Sequence, residues 1–127
     1  MNHRVQTRWR DVDGLGHVNH AAAFDYFEEG RDAFLRSRGM GPADYVVGRC
    51  SVTWLREIKP ETASVTVECV IREIGRTSFQ TSERILTEDG EPAIEAIFGL
   101  VMWDSATSSP RPITDEERSM MTGGSEK

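Results

Sequence analysis

A chain of 127 residues is sized for one domain and can bury roughly 65–70% of its unfolded surface without covalent staples. Apolar residues make up 38% and charged residues 28%, and the formal net charge is −6; this balance excludes the disordered and membrane classes and argues against a nucleic-acid partner, because no long basic run compensates the net negative charge. The N-terminus lacks the apolar core of a signal peptide and the longest apolar run, Ala96 to Trp103, is far too short to span a bilayer, so the expected location is the cytoplasm, away from membranes.

Residues Asn2 to Arg10 alternate Val5, Thr7 and Trp9 with Arg4, Arg8 and Arg10, the period-two pattern of a half-buried strand. From Ala21 to about Arg38 the period changes: Ala23, Phe27, Gly30 and Phe34 fall at steps of four, three and four, with Phe24 and Leu35 beside them. This predicts a long helix capped near Asn19 or His20 and stopped at Gly39, with Gly41 and Pro42 beyond. Gly30 in mid-helix is unfavourable by about 1 kcal/mol relative to Ala, and a close backbone approach to a sheet is the expected compensation.

Four more strands are predicted. Tyr45 to Ile58 has Val52, Trp54 and Ile58 on one face, and Ser64 to Ile74 has Val65, Val67, Cys69 and Ile71 on one face. Arg76 to Leu86 alternates weakly. Pro92 to Trp103 is apolar almost throughout, as expected of a central strand covered on both faces. Turns fall at Lys59–Pro60–Glu61, Gly75–Arg76 and Glu88–Asp89–Gly90, the last reading as a two-residue hairpin, so neighbours are expected to be antiparallel. Thr107 to Pro112 reads as a loop, and Thr114 with Glu117 as the capping box of a short helix ending near Met121. Cys50 and Cys69, without CxxC spacing, read as buried reduced thiols. The expected class is α+β: one long helix packed on a five-stranded antiparallel sheet, in a single domain over residues 1–121 with a flexible tail at 122–127.

The densest chemistry lies at DVDGLGHVNHAAAFDYFEEGR, Asp11 to Arg31. From the residues alone, Asp13–Gly14 is either a turn with a side-chain acceptor or the carboxylate of a site, Asn19 is first a helix cap, and His17 is either a structural donor or a substrate contact. His17 and His20, three apart with aspartates upstream, invite a metal reading, but a loop running into a helix does not hold them on one face, and no metal site is expected. Glu28 or Glu29 is expected either on a solvated face, paired with Arg31 or a strand arginine, or as a second active-site carboxylate; Arg31, beside the apolar stripe, is expected in a buried or interfacial ion pair.

That stretch resembles the hotdog-fold acyl-CoA thioesterases of the 4-hydroxybenzoyl-CoA thioesterase-like group, whose DxDxxGHVNN-like loop runs into a helix beginning AxYxxYFExAR. Asp11, Asp13, Gly16, His17, Val18, Asn19, Ala21, Phe27, Glu28 and Arg31 match, and the element order agrees over about residues 3 to 105. Ala23 stands where the family usually has an aromatic and His20 where it often has Asn, which alters the shape of the acyl pocket more than the catalytic acid. The resemblance implies hydrolysis of an acyl thioester to free acid and CoA without a cofactor. Asp13 aligns with the catalytic carboxylate, as nucleophile or general base, and His17 is placed to orient it.

Main-chain amides of the helix start near His20 would form the oxyanion hole. Gly16, Asn19 and Ala21 fall at the substrate. For the phosphates of CoA, Arg56 and Lys59 supply positive charge, and the segment Gly75 to Phe79 resembles the family's IGxxS, making Arg76, Thr77 and Ser78 candidates for pantetheine or phosphate contact. A homodimer, or a dimer of dimers, is implied, since the family joins sheets across a twofold axis with sites at the interface. A non-catalytic acyl-CoA-binding module and a hotdog enoyl-CoA hydratase or dehydratase are the rival functions; acyl type, and CoA against acyl carrier protein, are left open.

Overall fold

Strand β1 (Asn2–Gln6) is followed by helix α1 (His20–Ser37), strands β2 (Tyr45–Trp54), β3 (Ser64–Ile74), β4 (Ser78–Leu86), β5 (Pro92–Asp104) and β6 (Ser109–Pro110), and helix α2 (Asp115–Gly123), in a computed structural model that describes residues 1–7, 20–41, 44–59 and 62–123. The sheet runs β1-β3-β4-β5-β2, antiparallel throughout, and the five strands of that path are those expected from the sequence. A sixth was not expected: Ser109 and Pro110, read as loop, pair with Asp104 and Trp103 because the chain doubles back through the turn after β5. Residues 8–10 of the first predicted strand lie outside the described residues, as do Pro42, Pro60 and Glu61.

Helix α1 buries Ala22, Ala23, Tyr26, Phe27, Gly30, Arg31, Phe34 and Leu35, a stripe with the 3.6-residue period of an amphipathic helix. The stripe is turned slightly from the expected one: Tyr26 lies inside and Phe24 is 40% exposed. At Gly30 a Cβ would sit 2.5 Å from the Val67 side chain, so the backbone of α1 rests on β3 as the glycine required. Gly39 ends the helix in the left-handed region (φ 86°), with the Met40 amide donating to the Leu35 carbonyl at 2.9 Å. The core between helix and sheet contains Phe27 edge-on to Phe98, with Val65, Val67, Phe79, Ile85 and Leu100 around them.

Several local expectations are corrected. The apolar run of β5 alternates instead of being covered on both sides: Ala96, Phe98, Leu100 and Met102 are buried while Ile97 is 40% exposed, because the helix covers only one face of the sheet. Strand β2, at the end of the sheet, is exposed over most of its length, so Cys50 is an exposed thiol and Trp54 is only partly covered, while Ile58 reaches the core. The β4–β5 connection is a three-residue loop, Glu88 to Gly90; the Thr87 amide donates to the Glu91 carbonyl at 2.9 Å, and Gly90 (φ 84°) takes the left-handed position such a loop needs.

Candidate active site

His20 opens α1, and first-turn amides of any helix have no carbonyl four residues earlier in that helix to bond. Its ring stacks on Trp54 of β2, centroids 4.0 Å apart at 29°, and Trp54 meets Phe24 edge-on at 6.5 Å. Three rings from two elements therefore bracket the first turn of the helix. Phe24 continues into a groove of about 410 Å³ between α1 and β2, lined also by Glu28, Arg31, Asp32, Tyr45, Val46, Val47, Cys50 and Phe98. His20, Phe24, Glu28 and Asp32 follow one another at steps of four, so a single helix face leads from the helix start along the groove.

Beneath the groove is a buried polar cluster. Arg31 Nε donates to Glu83 Oε2 at 2.9 Å, with side chains 4% and 0% exposed, and the guanidinium lies over the Phe98 ring at 4.2 Å. Glu83 also accepts from Thr81 Oγ1 at 2.6 Å, with the Cys69 thiol 3.8 Å away. Burial raises the Glu83 carboxyl above its ordinary range and Arg31 opposes that shift; burial also pushes the Cys69 thiol far up, so it stays protonated and is no nucleophile. Tyr45 Oη donates to Asp32 Oδ1 at 3.0 Å, and burial raises its phenol out of the titrating range. The ion pair expected of Arg31 is present, but its partner is Glu83, not Glu28 or Glu29; Glu29 instead lies 3.3 Å from His3 of β1.

Of the residues singled out from the sequence, Asp13, Gly16, His17 and Asn19, with Asp11, lie outside the described residues. His20 and Ala21 are exposed on the first turn of α1. Arg56 lies just beyond Trp54, its amide donating to Ala93 O at 3.2 Å and its guanidinium 3.5 Å from Asp89; the Lys59 carbonyl accepts from Thr62 N at 3.0 Å. Arg76, Thr77 and Ser78 form the β3–β4 turn, closed by Gly75 N donating to Ser78 O at 2.7 Å. That turn is at the other end of the sheet. Ser78 pairs with Val101 and Trp54 with Ile94, seven residues apart along β5, which is about 23 Å at strand spacing. One chain thus brings the helix start at His20 and Ala21 to Trp54, turns the Arg56 guanidinium toward the β4–β5 loop, and leaves Arg76 to Ser78 remote.

Sequence reasoning missed Trp54, Tyr45 and Asp32 as site-lining groups. The step-of-four run from His20 to Asp32 was a usable signal for Asp32; nothing local marked Trp54, which meets the helix through the fold. Among the described residues no cluster of His, Cys, Asp and Glu is arranged to hold a metal ion, and no helix is long and apolar enough to cross a membrane.

Solved structures share this architecture. A thioesterase of Thermus thermophilus, complexed with coenzyme A and Zn, is 28% identical over 95% of this chain and 96% of its own, with a TM-score of 0.85. A predicted thioesterase of Bacillus stearothermophilus is 25% identical over 96% of this chain and 93% of its own, with a TM-score of 0.86. A search of curated proteins finds no match. The sequence profile of the thioesterase-like superfamily matches residues 7–119, nearly the whole described fold, and the chain belongs to that superfamily as a thioester hydrolase of the hotdog fold.

Proposed function

We propose that the chain hydrolyses acyl-CoA thioesters, with Asp13 as general base or nucleophile, His17 orienting it, and the amides of the first turn of α1 as the oxyanion hole. In the general-base form, Asp13 takes a proton from water as the water oxygen bonds to the carbonyl carbon. The carbonyl oxygen gains negative charge against the helix-start N–H groups, each donor contributing about 2.7–4 kcal/mol, and the C–S bond then breaks to release CoA thiolate and the free acid. In the nucleophilic form, the carboxylate oxygen bonds to that carbon first, the C–S bond breaks to release CoA thiolate, and water cleaves the resulting mixed anhydride to the free acid and the regenerated Asp13 carboxylate.

The observation that carries this reading is the placement of the first turn of α1, flanked by the His20–Trp54 stack and adjoining, through Phe24, a groove that can take an acyl group. Coenzyme A bound to the Thermus relative supports CoA as the carrier.

A second copy completes the proposed site. Among the described residues the outer edge of β2 carries no strand, and pairing it antiparallel with β2 of a copy, about a dyad near Cys50, turns the copy's Tyr45 end toward Trp54. Val46, Val101 and Ser78 form one row across three strands, so the copy's β3–β4 turn, with its Arg76, Thr77 and Ser78, comes round to the helix start. Thiol release from a panel of short, long and aromatic acyl-CoAs tests the proposal: Asp13→Asn is expected to lower kcat by about 100- to 10,000-fold while substrate still binds. Turnover within a few-fold of wild type in that variant refutes the role of Asp13.

A further inference from the structure

The groove along α1 is apolar near the helix start and acidic further in. Phe24, Val46, Val47 and Phe98 supply the apolar walls, and the ionisable groups that face it are Glu28, Asp32, Arg31, Tyr45 and Cys50. Arg31 directs its guanidinium inward at Glu83, and the carboxylate of Glu83 balances its charge. Tyr45 is held as the neutral phenol and donates to Asp32 Oδ1, leaving Oδ2 without a partner among the described residues. Glu28 is exposed and makes no hydrogen bond or ion pair among the described residues. The uncompensated charge along the groove is therefore negative. Glu28 lies about 10 Å along the helix axis from Ala21, the reach of a medium-length acyl chain whose carbonyl sits at the first turn.

We propose that Glu28 and Asp32 are specificity-determining residues: the groove between α1 and β2 takes acyl groups whose far end is uncharged and rejects those ending in a carboxylate. This rests on the acyl-thioester reading above and adds to it the class of acyl group. Apolar burial holds the methylene chain against Phe24, Val46, Val47 and Phe98. A terminal carboxylate is repelled by two like charges and meets no free cation among the described residues that line the groove in one chain, whereas a methyl or hydroxyl end meets no such penalty, and a hydroxyl can donate to Glu28 or Asp32.

The test compares octanoyl-CoA, its ω-hydroxy counterpart and suberoyl-CoA, which matches octanoyl-CoA in length but ends in a carboxylate. With wild-type protein, kcat/KM from thiol release is expected to be at least about tenfold lower for suberoyl-CoA than for octanoyl-CoA, the effect of a like charge within roughly 4–6 Å, with the hydroxy ester close to octanoyl-CoA. In the Glu28→Gln, Asp32→Asn double variant the octanoyl-to-suberoyl ratio is expected to fall toward one. A ratio near one in the wild type overturns the proposal. So does a ratio the double variant leaves unchanged, the result expected if a second copy fills the groove.

If no ester is hydrolysed, the thioesterase reading fails by itself. The same ratio is then read as Kd from quenching of tryptophan fluorescence by the three esters, and it decides the charge preference. Because the ratio is internal to each protein, a variant of lowered stability still reports it; a variant that does not fold is replaced by Glu28→Gln alone, with the same expected direction.

Discussion

Two ion pairs, in two regions of the molecule, are built from the same kinds of residue and do different work. Under α1, Arg31 and Glu83 join elements 52 positions apart in the chain, and both side chains are almost wholly removed from water. At the start of α2, Arg111 and Glu117 are six positions apart and pair at 2.7 Å, with the two side chains 26% and 13% exposed. The first pair ties helix to sheet and must be satisfied completely, because an uncompensated charge there has no water to turn to. The second tidies a local helix start and shares its field with solvent.

The sharpest way to break the contrast is Glu83→Ala. It leaves Arg31 buried without its carboxylate and takes an acceptor from Thr81, and the expected loss is about 3–5 kcal/mol of unfolding free energy, read from urea denaturation. Replacing both partners together, Arg31→Met with Glu83→Leu, is expected to restore most of that loss, because it is the orphaned charge and not the absent pair that destabilises. A double variant as unstable as Glu83→Ala would mean that the pair itself, rather than its completeness, holds the helix.

The next effect belongs to the same region. Gly30→Ala improves intrinsic helix propensity by about 1 kcal/mol, yet the added methyl would meet Val67 at 2.5 Å, and overpacking of this kind costs about 1–3 kcal/mol. A net destabilisation is expected, read as a lower urea midpoint, and Val67→Gly in the same chain, which removes both the Cβ and the Cγ1 that the new methyl would meet at 2.5 Å, should turn the sign of the Gly30→Ala change. If Gly30→Ala stabilises the parent chain, α1 does not rest on β3 as closely as the contact requires.

The difference between the regions also decides what could be read in the sequence. The helix stripe, the stop at Gly39, the need for close approach at Gly30 and the capping box at Thr114 all depend on neighbours within a few positions, and all four are present. What depended on distant neighbours was not legible. The partner of Arg31 lies on β4, where Thr81 and Glu83 occupy inward positions and blur the alternation that marks a strand's buried face. Strand β2 reads as strand from its own residues, but its place at the sheet's end, beside β5 instead of β3, is set by topology, and that place exposes Cys50 and brings Trp54 to His20. The candidate site divides the same way: its motif residues were found by resemblance, and its groove only once helix and edge strand were side by side.

The smallest effect is at the surface pair, and pH sharpens it. Glu117 is bound by Arg111 and by the Thr114 amide at 3.0 Å, while its own amide donates to Thr114 Oγ1 at 3.0 Å. The Arg111 hydrogen bonds, with the Thr114 amide, hold its carboxyl below the usual range of about 4.3. A depressed folded value means that the ionised form is favoured by folding, so its contribution is fully present above the unfolded carboxyl's range and is lost as pH falls through the folded value. Glu117→Gln is therefore expected to cost about 1 kcal/mol or less at neutral pH, reduced by solvent screening, and the gap between variant and wild type should close on acidification below about pH 4. Denaturation midpoints of the two proteins across that range check the sign: a gap that widens in acid would mean that the carboxyl is not ion-paired in the folded chain.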